Sequence, residues 1–485
     1  MKKVLWICIA LMVGAGAADA QSTTDRIGVQ DLRYGDTWTR TLTDGSTLTM
    51  QGHSPINVKA YPWLAIGDGS TDDTDAIQAA IDSCLSYGGG VVYIPTGTYK
   101  ITAALTMENG VSVVGDGPST LLSRDYASHV SRVFYASGDS NLTIADLAID
   151  GNSTYGAFSG TGSGHGVGLT GACHNISMIG LEIYEFNTDG IYIGGATAVP
   201  SDILVSGCTL YDNNRNGVTV VSGTGVRVVG NRIYDNYGVG VDAEPNVAND
   251  IIGGLLVSDN LITNSRVSGM GSGSTFFPRL LDVTGDDAYV NDVTVSDNIL
   301  RAIIASPDTS DTLHNVLSYI SQVGAVNFSN NVMETNRTST SVSYGAAYFR
   351  DWELLSGHGN ILKSRAADAE GKAWAIRSAV TMIAVGDTLG PVDLGFIVSG
   401  GFDFGANTDS CMVGRLSLVT DPLDPPNTRW TSNDDGPEFS VQPVGLVWAA
   451  PTAEPDTAGL RGLIWYDAAN DTLKVYDGSG WQALH

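Results

Sequence analysis

Three stretches of this chain can be written one above the other: MIGLEIYEFNTDGI (residues 178–191), VSGCTLYDNNRNGV (205–218) and VVGNRIYDNYGVGV (228–241). Apolar residues alternate within each copy, which is typical of a strand with one buried and one exposed face. Weaker copies begin near Val257 and Val295, and an earlier one includes residues 144–149. We expect each copy to form one coil of a stack of short strands.

Aligned glycines set the length of one coil. They fall at positions 166, 190, 217, 240 and 269, in steps of 24, 27, 23 and 29 residues. Three short strands and three turns fit this length, whereas a propeller repeats at roughly 40 residues. The chain is therefore expected to be all-β, with a single-stranded parallel β-helix whose Asn-rich turns form hydrogen-bonded ladders. The expected interior columns are Ile183, Leu210 and Ile233, and Ile191, Val218 and Val241.

A second informative stretch, IGDGSTDDTDAIQAAID, covers residues 66–82. Its Gly/Asp turn is followed by a helix pattern, in which Thr71 or Asp72 can accept the first backbone N–H groups. An apolar helix face begins at Ala76 and Ile77, and three glycines at 88–90 end the helix before the strand pattern at 91–95. We interpret the aspartates of this turn as structural.

Together with its flanks, over residues 56–122, this stretch resembles the opening of the pectate-lyase-like superfamily, which includes phage tailspike depolymerases and glycan hydrolases and lyases. The resemblance implies a right-handed β-helix with an N-terminal capping helix. A cap is what an open stack of apolar rungs needs. It also implies a polysaccharide as the partner.

The chain divides into five predicted segments. Lys2, Lys3, an apolar run and a small-residue site ending at Ala20 predict a signal peptide over 1–20, and hence a secreted, extracellular or periplasmic protein. An N-terminal segment follows at 21–55, and the β-helix at 56–350. Residues 351–440 form a C-terminal β region of unknown role. Residues 441–485 comprise a linker and a hairpin that resembles the end of phage tail fibres, which implies a homo-oligomer, with a trimer as the first expectation.

Composition limits the partners. The formal charge of −27 disfavours nucleic acid and anionic membranes, because both need a basic surface. An acidic glycan would need a local basic site, because the overall negative charge of the protein would otherwise repel it. Four cysteines remain after the leader and resemble no metal motif. The interpretation requires no cofactor.

The repeat register places several chemically active side chains on one stripe of neighbouring rungs. They combine acid, base and ligand-binding groups on a sparsely charged stretch, which is the composition of a catalytic surface. The predicted catalytic residues are Asp189, Asp242, Glu244 and His165, and the predicted substrate-binding residues are Tyr192, Arg215, Asn216 and Thr219.

Two short motifs on this stripe resemble those of polygalacturonases. Asn187-Thr188-Asp189 matches the motif that carries a catalytic Asp in that family, and Gly164-His165-Gly166 matches its Gly-His-Gly motif. The order of the two motifs is reversed here, and Asn216 stands where an Asp-Asp pair would be expected. The resemblance supports Asp189 and His165 as candidates without making the chain a polygalacturonase.

The sequence favours a polysaccharide hydrolase over a lyase. A lyase needs cations beside the developing enolate, and the stripe offers one Arg and no Lys. Asp189 and Asp242 are two rungs apart, about 9.6 Å at the backbone, and their carboxyls could flank a glycosidic bond. Asp242 with Glu244 is the alternative pair, and these two could instead form a surface pair or a calcium site. Alternative functions are a non-catalytic, glycan-binding tailspike-like or adhesin-like appendage and a structural surface protein.

Overall fold

The structure is a computed structural model. It describes residues 37–51, 55–128, 131–153, 164–195, 198–264, 279–285, 289–302 and 317–335, and beyond these a set of strands between 347 and 483. The predicted signal peptide lies outside the described residues. No helix in the described ranges has the length and hydropathy of a membrane span.

Successive coils of the chain pair in parallel and build three strand ladders that share one core. We name these ladders sheet 1, sheet 2 and sheet 3. Sheet 1 consists of Leu105–Thr106, Arg132–Ser137, His165–Thr170, Ile191–Ile193, Val218–Val220, Val241–Ala243, Leu281–Thr284 and the first part of Ser318–Ser329. Sheet 2 consists of Ile56–Asn57, Gly90–Tyr93, the first parts of Val111–Arg124 and Ser140–Asp150, His174–Ile179, Ser201–Ser206, Arg227–Val229, Leu256–Ser258, Val293–Ser296 and the second part of Ser318–Ser329.

Sheet 3 completes each coil. It consists of Asp68–Asp72, Gly97–Ile101, the second parts of Val111–Arg124 and Ser140–Asp150, Glu182–Tyr184, Thr209–Tyr211, Arg232–Tyr234, Leu261–Asn264, Ile299–Ala302 and Val332–Thr335. A short ladder beside sheet 2 joins Gly223–Thr224, Ile251–Gly253 and Tyr289–Asn291. A 3₁₀ turn covers Tyr126–Ser128. An antiparallel hairpin, Thr37–Thr41 with Thr47–Gln51, precedes the coils, and Leu42 of its turn is buried against the outer side of sheet 2.

Both predicted core columns are confirmed. Ile183 pairs with Leu210, which pairs with Ile233, and all three are fully buried. Ile191, Val218 and Val241 form the second column in the same way. Apolar residues at matching positions thus make a continuous core, which fixes the register because a one-residue slip would turn each column outward.

The capping helix, α1, covers Thr74–Ser86 and closes the N-terminal end of the stack, with Ile77 and Ile81 in the core. Asp73 precedes it and is buried, and its carboxylate accepts N–H groups from the backbone of residues 66 and 67 rather than from the helix. The carboxylate of Asp72 accepts the Thr74 N–H at 3.1 Å. The aspartates of this turn therefore hold the loop to the helix.

The predicted asparagine ladder is confirmed at the turn between sheets 2 and 3. Each buried Asn side chain accepts an N–H from the preceding Asn side chain and donates to the next, at 2.9 to 3.1 Å. The ladder consists of Asn231, Asn260, Asn298, Asn331 and Asn360. It satisfies backbone groups that every coil would otherwise bury at this corner.

Two features differ from the sequence prediction. Leu281, not a residue beside Gly269, pairs with Val241, so the alignment of Gly269 is wrong. On the next rung, Leu280 stands at the position that Gly240 occupies in its own coil. An insertion in this coil shifts the repeat. Parallel pairing also continues past residue 350, where the sequence repeats fade, because a backbone ladder needs no side-chain motif.

The strands beyond this point are described by their backbone. Parallel pairing includes Ala347–His358, Ile361–Ser364, Lys372–Val385, Thr388–Leu389, Leu394–Val398, Ser410–Val413, Ser417–Leu418 and Thr428–Ser432. Phe439–Gln442 and Gly445–Val447 add antiparallel strands. The terminal hairpin is present as Ile464–Asp467 and Thr472–Tyr476, with a third strand at Trp481–Ala483.

Candidate active site

His165 lies at the start of its strand in sheet 1 and is almost completely buried. Its Nδ1 atom lies 3.2 Å from Asp189 Oδ2 and 2.9 Å from Thr188 Oγ1. Its ring packs on Tyr192, with ring centroids 4.9 Å apart. We assign the Nδ1 hydrogen to the contact with the carboxylate, which leaves Nε2 as the nitrogen that can accept a proton.

Asp189 is fully buried and is held by the neighbouring coil. Arg215 donates its Nε hydrogen to Asp189 Oδ1 at 2.6 Å and a terminal N–H to Oδ2. The Asn216 backbone N–H adds a bond of 3.2 Å to Oδ1. Burial acts to raise the pKa of Asp189, but the bonds from Arg215 and His165 outweigh it and lower the pKa to about 2. Asp189 is therefore ionised at neutral pH.

One outward column of sheet 1 continues from this cluster. In stacking order it contains Tyr135, Gly168, Tyr192, Thr219, Asp242, Asp282 and Tyr319. Successive members lie about 4.8 Å apart along the stack. The predicted placement of Tyr192, Thr219 and Asp242 on successive rungs is confirmed.

Asp242 lies inside a polar cluster. Asn216 Nδ2 donates to Asp242 Oδ2 at 2.6 Å and to Thr219 Oγ1 at 3.1 Å. Asn216 and Thr219 are themselves buried, and Asn216 connects Thr219 to Asp242; their predicted role in substrate binding stays a prediction. Burial first, and then the charges of Asp282 and Glu244, raise the pKa of Asp242 well above its ordinary value.

Glu244 lies just beyond the end of the strand that carries Asp242, close enough for its charge to raise the pKa of Asp242. It follows the strand Val241–Ala243, its side chain is exposed, and its backbone N–H donates to Val220 O at 3.0 Å. Across the described ranges, no three His, Cys, Asp or Glu side chains converge on a metal position. The calcium site at Asp242 and Glu244 therefore gains no support from these residues and stays a prediction.

Asp282 is a member of the site that the sequence did not reveal. It pairs in register with Asp242, is buried, and binds Arg279 and the Thr284 hydroxyl, the latter at 2.8 Å. The guanidinium carbon of Arg279 lies 3.8 Å from the Tyr319 ring centroid. The shifted repeat after Val241 concealed this residue, because the glycine alignment placed the next rung at position 269.

Arg132 is the second residue that sequence reasoning missed. It pairs in register with His165, and its guanidinium carbon lies 4.5 Å from the Tyr135 ring centroid. The earlier coil has no Asn-Gly motif to align, and alternation with the core residues Phe134 and Ala136 would have placed Arg132 on the inward face, so no sequence signal identified it. The stripe thus carries three arginines, Arg132, Arg215 and Arg279, rather than the single one expected.

Family comparisons agree with this architecture. Residues 56–145 match the family described as "Rhamnogalacturonase A/epimerase, pectate lyase-like", and residues 132–351 match "Right handed beta helix region". The exopolygalacturonase of family 28 from Yersinia enterocolitica has a similar structure, with a TM-score of 0.53, 16% identity and coverage of 83% of each chain. These matches confirm the right-handed β-helix.

Two curated relatives from Azotobacter vinelandii are similar in sequence. Mannuronan C5-epimerase AlgE2 is 30% identical over an alignment of 221 residues, which covers 38% of this chain and 22% of that protein. Alginate lyase 7 is 31% identical over an alignment of 195 residues, which covers 37% of this chain and 22% of that protein. The chain therefore spans about a fifth of the length of these relatives.

Proposed function

We propose that the chain is a polysaccharide-active enzyme that removes the proton beside the carboxylate of a uronic acid. The starting point is the match of residues 56–145 to the pectate-lyase-like model and of residues 132–351 to the right-handed β-helix model. The substrate class is supported by the relatives, whose names include mannuronan and alginate. The observation that carries the proposal is the buried Asp189 carboxylate that orients His165 beside Tyr192.

His165 acts as the base in this proposal. Its Nδ1 atom is fixed by Asp189, so Nε2 takes the proton from C5 of the sugar. The electron pair of the broken C–H bond moves into the carboxylate of the sugar as an enolate. Arg215 lies beside this position with its side chain 41% exposed, and its positive charge favours that anion.

Tyr192 acts as the acid. Burial raises the pKa of its phenol, and this keeps the hydroxyl protonated at neutral pH. In a β-elimination the enolate collapses, the bond from C4 to the bridging oxygen breaks, and Tyr192 protonates that oxygen. His165 and Tyr192 pack ring against ring at the outward face of sheet 1, and we call the surface along the column from Tyr135 to Tyr319 the groove. Their shared position suits removal of both groups from the same face of the sugar. We therefore favour a lyase over an epimerase.

Hydrolysis through Asp189 and Asp242 has less support. Both oxygens of Asp189 are already bound by Arg215, and the side chain is fully buried. The sequence argument for hydrolysis rested on a stripe with one arginine, and Arg132 and Arg279 now add to it.

A second candidate function is hydrolysis through Asp242 and Asp282. These carboxylates occupy adjacent rungs, about 4.8 Å apart at the backbone, which is close to the separation in retaining glycosidases. The raised pKa of Asp242 suits an acid, and Asp282, bound by Arg279, suits an ionised partner.

Product analysis distinguishes these functions. The purified chain is incubated with polymannuronate, polygalacturonate and a neutral glucan, in H₂O and in D₂O. Unsaturated products by ultraviolet absorbance and mass spectrometry indicate a lyase, and deuterium uptake without shortening indicates an epimerase. Hydrated new ends indicate a hydrolase, and binding without any product indicates the glycan-binding appendage.

Variants of histidine link the activity to this site. We expect His165→Gln to abolish turnover. The matched control is His174→Gln, since His174 also contacts an aspartate, Asp202 at 3.3 Å, but on the exposed side of sheet 2. Equal turnover in both variants would contradict the proposal.

The leader-like N-terminus supports action outside the cytoplasm.

A further inference from the structure

The side chain of Arg132 occupies space that another residue leaves empty. A Cβ atom at Gly168 would lie 2.7 Å from Arg132 Cδ and 3.0 Å from its Nε. Gly168 stands in the outward column between Tyr135 and Tyr192. The arginine therefore crosses from its own rung to the next one, over the backbone of Gly168 on the outward face of sheet 1.

The platform under this guanidinium is fixed. The Tyr135 ring lies 4.5 Å from the guanidinium carbon, and the Thr170 hydroxyl donates to the Tyr135 oxygen at 3.0 Å. Stacking on an aromatic face holds the planar group and leaves its edge available for hydrogen bonds.

Arg132 has no acidic partner among the residues that the structure describes. The other two arginines of the stripe, Arg215 and Arg279, each bind an aspartate. None of the ion pairs between described residues includes Arg132. Its Nε atom is buried without a hydrogen-bond partner there. Among the described residues of the stripe, Arg132 is thus an arginine whose charge no described carboxylate neutralises, in a chain with a net charge of −27.

We propose that Arg132, Tyr135 and Gly168 form a subsite for the carboxylate of the sugar adjacent to the reacting one. This inference rests on the proposed function in taking the substrate to be an acidic polysaccharide. A guanidinium fork matches a carboxylate through two parallel hydrogen bonds, and a neutral hydroxymethyl group offers no such match. Gly168 determines the specificity, since any side chain there would displace the guanidinium.

The register places this subsite beside the reacting sugar. Arg132 pairs with His165, one rung or about 4.8 Å away, while Arg215 lies on the opposite side of His165 along the stack. The proposed function places the carboxylate of the reacting sugar beside Arg215, so we place the carboxylate at Arg132, on the other side of His165, on a neighbouring unit of the polymer. The subsite makes the groove select a run of acidic units rather than a single one.

The test measures binding separately from turnover. Oligomannuronate and oligogalacturonate, and the same oligomers with their carboxyl groups reduced, are titrated calorimetrically into the wild type, Arg132→Gln and Gly168→Ala. The matched control is Arg232→Gln, because Arg232 also stacks on a tyrosine, Tyr234 at 4.8 Å, but on sheet 3.

We expect Arg132→Gln to weaken binding of the acidic oligomers at least about tenfold, the usual scale for a charged hydrogen bond. Gly168→Ala should act in the same direction, and the reduced oligomers should bind all variants equally weakly. Gly168→Ala keeps the arginine, so it tests the subsite even if Arg132→Gln folds poorly.

Unchanged binding of acidic oligomers in both variants would overturn the subsite, and so would wild-type binding that does not distinguish acidic from reduced oligomers. Binding that depends on Arg132 without any turnover would refute the proposed function and leave the subsite intact. Turnover of polyuronate that is unchanged in Arg132→Gln and Gly168→Ala would refute the subsite and leave the proposed function intact.

Discussion

Arg215 binds both carboxylate oxygens of Asp189 from the next rung of the β-helix. The pair connects a fully buried carboxylate to a side chain that is 41% exposed in the groove. His165 contacts the same carboxylate, so one ion pair both keeps Asp189 ionised and fixes the imidazole. A change at Asp189 should therefore affect catalysis through the orientation of His165.

We expect Asp189→Asn to lower kcat at least about a hundredfold on any substrate that the wild type converts. The amide has nearly the same shape, but it loses the negative charge that orients His165 Nδ1. Initial rates with the wild-type substrate, together with thermal unfolding, check this. Asp202→Asn is the matched control, because Asp202 contacts His174 at 3.3 Å in an exposed pair, and its turnover should not change. Near-normal turnover of Asp189→Asn would contradict this role.

Asp242→Asn separates the two candidate chemistries. If His165 and Tyr192 carry the reaction, this variant should keep kcat within about tenfold, because Asp242 lies two rungs, about 9.6 Å, from Tyr192. If Asp242 is the acid of a hydrolase, kcat should fall at least about a hundredfold. Parallel assays of Asp242→Asn and Asp282→Asn decide between them. A large loss in both would favour hydrolysis.

The sequence predicted the fold well because each coil of the β-helix repeats the same pattern of apolar and Asn residues. Ile183, Leu210 and Ile233 share one position in the repeat, and the same position becomes one core column. The ladder that includes Asn231 and Asn260 was visible for the same reason. Where the coil length changes, as after Val241, the alignment loses its reference, and Asp282 could not be placed.

The site was only partly predictable from sequence. The cluster of His165, Asp189 and Arg215 follows from the register, since these residues lie on adjacent rungs. Burial does not follow from it: nothing in the repeat indicates that Asp189 is enclosed while Glu244 is exposed. The position of Arg132 depends on empty space at Gly168, which alternation alone does not reveal.

The asparagine ladder should contribute strongly to stability. Asn260 is buried, and its side-chain oxygen accepts the backbone and side-chain N–H groups of Asn231, both at 2.9 Å. Asn260→Ala would leave these donors and the Val228 carbonyl without their partner, at a cost of about 2–5 kcal/mol. Urea denaturation measures the loss. Asn246→Ala, at an exposed position, is the control. Equal stability of the two variants would show that water replaces the ladder.

The terminal segment is expected to organise a homo-oligomer, with a trimer as the first expectation. The motive is the tail-fibre-like hairpin, whose strands Ile464–Asp467 and Thr472–Tyr476 pair antiparallel. Light scattering of the full chain at micromolar concentration should give a multiple of 50.8 kDa, less any leader that is removed. A chain that ends at residue 440 should be monomeric. A monomer in both cases would refute this expectation.

Acid should destabilise the protein through Asp189. Its pKa is about 2 in the folded chain against an ordinary 3.8, so the folded state holds this proton less tightly than the unfolded state. The resulting stability, on the order of 2 kcal/mol, is complete above about pH 4 and is lost as the pH falls toward 2.

Asp242 acts in the opposite direction. Its pKa in the folded chain is raised well above 3.8, so its contribution is present at low pH and is lost as the pH rises through the raised value. We therefore expect Asp189→Asn to flatten the decline in stability between about pH 4 and pH 2, and Asp242→Asn to stabilise the chain toward neutral pH. Urea midpoints measured from about pH 2 to neutral pH check both slopes. A decline in Asp189→Asn as steep as that of the wild type would place the acid-sensitive group elsewhere.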